Sequence, residues 1–136
     1  ENPDYAALQL MNEILSGGFA GRLIQSVRSD LGLAYAVFGE YSSNINYPGF
    51  FYVGVMTKSS TTAEAIDAML VEVVKLQDTP VPSDELNEAK ERFLNSLVFR
   101  YDSKRKILNE RISNEYNGLP EDVYAHPLGI TLMCLH

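Results

Sequence analysis

Leu15-Ser16-Gly17-Gly18-Phe19-Ala20-Gly21-Arg22-Leu23 leads through Val27-Arg28-Ser29-Asp30-Leu31-Gly32 into Leu33-Ala34-Tyr35, and the rest of the chain is read outward from this stretch. Upstream, residues 4–15 predict a helix: Leu8, Met11 and Leu15 fall at helical spacing, and Ala7 and Ile14 widen the stripe. Ser16-Gly17-Gly18 stops that helix through a left-handed C-cap. Leu23, Ile24 and Val27 mark a short second helix ending near Gly32. The glycines do not form a Walker loop, because no Gly-Lys-Ser/Thr follows. A helix rather than a strand precedes them, so they read as a tight helix–loop–helix turn.

Downstream, Leu33 to Tyr41 and Gly49 to Met56 are rich in aromatic and aliphatic residues, and Ser42 to Pro48 between them is full of turn formers. The spacing predicts an antiparallel hairpin over about 33–57. In its second strand both alternating sets, Phe51/Val53/Val55 and Phe50/Tyr52/Met56, are apolar, which predicts cover on both faces. Thr61-Thr62-Ala63-Glu64 matches a capping box, and Ile66, Met69, Leu70, Val73 and Leu76 form the stripe of the helix behind it. Ser83 is placed to cap the next helix, with Asp84 and Glu85 in its first turn, where the macrodipole favours anions. That helix presents Leu86, Ala89, Phe93 and Leu97 on one face and pairs Glu88 with Arg92 at i,i+4. A last helix runs from about Lys104 to Tyr116. These elements give an α+β class, an antiparallel sheet packed against several helices. Two strands alone are rarely stable, so the sheet is expected to be incomplete and its open edge prone to self-association.

The 136 residues carry 18 acidic and 11 basic side chains, a net charge of −7. Such a balance disfavours a nucleic-acid surface, which needs a basic stripe, and an anionic membrane. No apolar run reaches the ~18 residues of a membrane span, and no basic-then-apolar leader begins the sequence. The compartment stays open among cytoplasm, periplasm and mitochondrial matrix. One cysteine, Cys134, excludes an internal disulfide. His126 and His136 are the only histidines, and neither H-E-x-x-H nor H-x-x-E-H occurs, so no metal ligands are assigned. Neither G-x-S-x-G nor a protease-type cysteine context is present. The carboxylates around Asp84, Glu88 and Glu91 and the run Lys104-Arg105-Lys106 read as solvated faces.

The glycines, Arg22-Leu23, Arg28, Gly32-Leu33 and Tyr35 together resemble the signature of the C-terminal domain of pitrilysin/insulinase-type zinc peptidases. Asn2-Pro3-Asp4-Tyr5-Ala6-Ala7-Leu8 looks like that domain's first helix, Tyr47-Pro48-Gly49-Phe50-Phe51 like its second strand, and Glu85-Leu86 with Ala89-Lys90 like a later helix entry. The resemblance covers residues 1–122 as a partial domain and leaves 123–136 as an unaligned tail. It departs at Gly21, where the family usually has serine.

The resemblance implies a LuxS/pitrilysin-like half-domain. In that family an N-terminal domain holds zinc through an inverted H-x-x-E-H helix and a distant glutamate, and the C-terminal domain closes over the peptide. An arginine and a tyrosine seven positions apart contact substrate near the scissile bond, and Arg28 and Tyr35 match them. Gly17, Gly18, Gly21 and Arg22 fall to a supporting loop. The chemistry suits the task, since a guanidinium offers a fork of donors to carbonyls and a phenol one oriented donor. The implied function is the substrate-binding half-domain of a zinc-dependent endopeptidase, inactive alone, whose cofactor sits in a domain absent here. Its implied partners are a peptide or unfolded protein substrate and a zinc-binding N-terminal domain or subunit. A non-catalytic core subunit of a processing-peptidase-like complex is the alternative. Arg28 has two plainer readings, an ion pair with Asp30 or closure of its helix, and Tyr35 has one, a half-buried strand aromatic.

Overall fold

A computed structural model describes residues 4–42, 49–100 and 102–119, without the side chains of 97, 98 and 100. The connection over 43–48, the tail from 123 with both histidines and Cys134, and the Leu97 side chain lie outside the described residues. Helix α1 (Tyr5–Ser16) is followed by a 3-10 turn (Gly18–Ala20) and a π-helix (Ile24–Asp30). Strands β1 (Ala34–Tyr41) and β2 (Phe51–Thr57) come next, then a 3-10 turn (Ser59–Thr61), α2 (Thr62–Asp78), α3 (Ser83–Arg100) and α4 (Lys104–Tyr116).

The strands pair antiparallel as a two-stranded sheet, with Tyr41 opposite Phe51 and Val37 opposite Val55. On one face, the fully buried Leu15, Leu23 and Val27 meet Val37, Ala65 and Met69, flanked by Phe51, Val53 and Val55. Helix α1 lies against β1 and α3, so the glycine turn and the π-helix sit at one end of the sheet. Among the described residues no helix is long and apolar enough to cross a membrane.

Four local expectations change. The C-cap Gly17 is extended (φ −68°, ψ 95°), and the left-handed residue is Gly18 (φ 58°). Strand β2 is covered on one face only: Phe50, Tyr52 and Met56 are exposed, because α1, the π-helix and α2 pack on the side of Phe51, Val53 and Val55. The capping box does not close, since the Thr61 hydroxyl bonds Thr57 Oγ1 (2.7 Å) and the Lys58 carbonyl (3.2 Å) instead of the helix N–H groups. Finally, α2 is turned so that Ala65, Met69, Val73 and Leu76 face the core while Ile66 and Leu70 are exposed; the small Ala65 lets the helix approach closely. The turn also buries Glu72, whose carboxylate accepts a hydrogen bond from Lys75 Nζ at 2.7 Å.

Helix α3 begins at Ser83 itself, with Asp84 and Glu85 in the first turn, and Arg92 Nη1 lies 3.8 Å from Glu88. Arg92 also donates to Glu13 on α1 at 3.2 Å, tying the two helices.

Candidate functional site

Arg22 opens the helical stretch after the glycine turn, and Gly21 is why it can. Gly21 is buried, and a β-carbon there would lie 2.9 Å from the Gly17 nitrogen and the Leu15 carbonyl oxygen. The turn thus folds back on its own backbone and delivers Arg22 toward α3. There Arg22 Nε and Nη2 each donate to Glu85 at 2.6 Å, a two-pronged pair across 63 residues of sequence. Hydrogen bonding from Arg22 holds the Glu85 carboxyl below its ordinary range, against the opposing effect of partial burial. The same bond raises Arg22.

From Ile24 the helix winds as a π-helix: Leu31 N–H donates to the Ser26 carbonyl five residues back, at 3.1 Å. Such windings are rare and frequent at functional sites. Leu33 N–H then takes the Val27 carbonyl at 3.0 Å, passing the chain from helix to strand. Val27 faces the core, and Arg28 beside it is exposed. The Arg28 guanidinium lies 6.0 Å from the centre of the Phe19 ring, and no ion pair joins it to Asp30 among the described contacts. The Phe19 carbonyl accepts from Gln25 Nε2 at 2.6 Å, so the glycine turn and the π-helix are fastened together.

Tyr35 stands at a break in the sheet. Ala34 pairs with Thr57 and Ala36 with Met56, so two residues of β1 face one step of β2. Ala34 packs on the core side and Met56 opposite Ala36 is exposed; the phase of the strand changes at Tyr35. A bulge of this kind re-aims a side chain and is common beside active sites. Tyr35 is 82% exposed, which removes the reading of it as a half-buried strand aromatic. Below it an open groove of about 480 Å³ is lined by Gly32, Leu33, Ala34, Met56, Thr57, Lys58 and Thr61.

Arg28 and Tyr35 therefore both face solvent on the segment that turns from π-helix to β1. Gly17, Gly18 and Gly21 shape the turn behind them, and Arg22 is spent on Glu85. Sequence reading took Glu85 as a first-turn anion and as part of a family-like helix entry; its partner is distant in sequence, so no local signal pointed to Arg22. Among the described residues no three His, Cys, Asp or Glu side chains converge.

Residues 1–93 match the profile of the peptidase M16 inactive domain. The non-peptidase homolog YmxG of Helicobacter pylori is 33% identical over 119 residues, covering 86% of this chain and 27% of that protein. An uncharacterized zinc protease, YmxG of Bacillus subtilis, is 28% identical over 108 residues, covering 79% and 26%. This chain thus spans about a quarter of the length of the curated relatives it matches. A crystal structure of the peptidase M16 inactive domain from Pseudomonas fluorescens superposes with a TM-score of 0.79 at 26% identity, covering 99% of this chain and 31% of that one. A conserved protein of Enterococcus faecalis shares the fold, with a TM-score of 0.72 at 21% identity over 85% of this chain and 26% of its own. Because the matched profile takes in more than half of its residues, the chain belongs to the peptidase M16 family, within the inactive domain of zinc-protease-like proteins.

Proposed function

We propose that Arg28 and Tyr35 grip the main chain of a peptide or unfolded protein, making this chain the substrate-binding part of a zinc-dependent endopeptidase that cleaves nothing by itself. The observation that carries the reading is the bulge: it lifts Tyr35 into solvent just beyond the π-helix that exposes Arg28. The guanidinium offers several donors to consecutive carbonyls and the phenol one. Zinc would come from a separate zinc-binding N-terminal domain or subunit.

The test is steady-state cleavage of a quenched peptide by the full-length protein with zinc. Arg28→Ala and Tyr35→Phe should each lower kcat/KM by about 100-fold, the loss expected for one donor aimed at developing charge. Bound zinc and Tm should stay unchanged. Equal kcat/KM in the wild type and both variants would remove the reading.

A second reading is favoured by one comparison: the Helicobacter pylori relative is named a non-peptidase homolog. A non-catalytic core subunit of a processing-peptidase-like complex would show no turnover with zinc, while keeping its assembly with a partner subunit.

A further inference from the structure

The groove beside Tyr35 has one charged residue in its lining, Lys58. Its floor is apolar or neutral: Leu33, Ala34 and Met56, with the Thr57 and Thr61 hydroxyls already bonded to each other at 2.7 Å. Thr57 Oγ1 also donates to the Leu33 carbonyl, joining the two walls. The backbone of Lys58 is fixed, because its carbonyl accepts from Thr61 N at 3.0 Å and from the Thr62 hydroxyl at 3.2 Å. Its side chain is exposed and has no carboxylate partner among the described ion pairs. This matters in a chain of net charge −7, where four of the other cations are committed: Arg22 to Glu85, Lys75 to Glu72, Arg92 to Glu13 and Lys106 to Asp102. A groove whose lining is apolar or neutral apart from one unpaired ammonium, and which includes the Tyr35 phenol, suits a short stem carrying a carboxylate. We infer that Lys58 is a specificity-determining residue, selecting a peptide with an acidic side chain, Glu or Asp, in the groove beside Tyr35.

The inference rests on the peptide-gripping reading above, and one experiment separates their failures. Fluorescein-labelled Ser/Gln host peptides of about ten residues, enough to fill the ~20–30 residues of a small interface only in part, carry one Glu at each position in turn. Each is compared by anisotropy with its all-Gln counterpart on the full-length protein at low salt. At one position Glu should bind tighter than Gln by about three- to five-fold, as one solvent-facing ion pair gives. Lys58→Gln should abolish that preference, and Lys58→Glu should shift it to a Lys-bearing peptide by a similar factor. Lys104→Gln, the same charge change on α4, should leave it intact. Peptides that bind without any charge preference, or a preference that survives Lys58→Gln, overturn the role of Lys58 alone. Absence of binding by every peptide to the wild type overturns the peptide grip and this inference together.

Discussion

Tyr35 and Gly21 show how much single residues decide. The sequence Ala34-Tyr35-Ala36-Val37 is apolar at every position, so alternation does not reveal a bulge. The structure places it there because Ala34 must face the core and Ala36 must pair outward with Met56. Gly21 was legible only as a turn former; its real constraint is space. A β-carbon 2.9 Å from backbone atoms of residues 15–17 cannot be relieved by a side-chain rotation. Gly21→Ser, the residue usual in the family, should therefore destabilise this chain by about 1–3 kcal/mol, measured as a lower urea midpoint. Gly18→Ser, at a position with open space but positive φ, tests backbone strain separately and should cost about 1 kcal/mol.

At the scale of elements, the Arg22–Glu85 pair couples the glycine turn to α3. Both side chains are less than a third exposed (17% and 29%), which places the pair above an ordinary surface bridge. Glu85→Gln should cost about 1–2 kcal/mol, because Arg22 keeps its charge and loses its carboxylate. The pH dependence follows from the sign of the shift. Glu85 sits below its unfolded value of about 4.3, so its contribution is complete above that pH and disappears as pH falls through the folded value. Denaturation midpoints taken from about pH 5 to pH 2 should fall more steeply in the wild type than in Glu85→Gln. The bounds read from the sequence for α1, β1, β2 and α4 and the starts of α2 and α3 agree with the structure within two residues. The π-winding was not readable, since its seven residues carry the same apolar spacing as an α-helical turn.

Among the described residues, apolar side chains face outward on the sheet, on α2 and on α4 (Ile107, Leu108, Ile112), and two of these faces bear on association. One is the open face of the sheet, where Phe38 meets Tyr52 edge-on at 6.2 Å and Phe50 stacks on Tyr52 at 5.6 Å; the Tyr52 hydroxyl donates to Glu40. The other is the outer side of α2, with Ile66, Leu70, Val71 and Val74 exposed. Patches of this kind mark surfaces that associate. The chain by itself should sediment as concentration-dependent oligomers, and the double variant Met56→Lys, Leu70→Glu should move it toward the monomer. Peptide incubated with the isolated chain and added zinc should remain uncleaved over hours, read by mass spectrometry.

The family came from resemblance; local order in the sequence was enough to determine the α-helices, the paired strands and the fact that Arg28 and Tyr35 lie where helix gives way to strand. Those features depend on neighbours a few residues apart, whose spacing the chain displays directly. Only the tertiary structure decided that Arg22 turns to Glu85, that the sheet keeps one face bare, that Tyr35 is lifted by a bulge, and that Lys58 borders its groove. Each of these is set by packing between segments far apart in the chain, where close approach and register, not residue type, choose among arrangements the sequence permits equally.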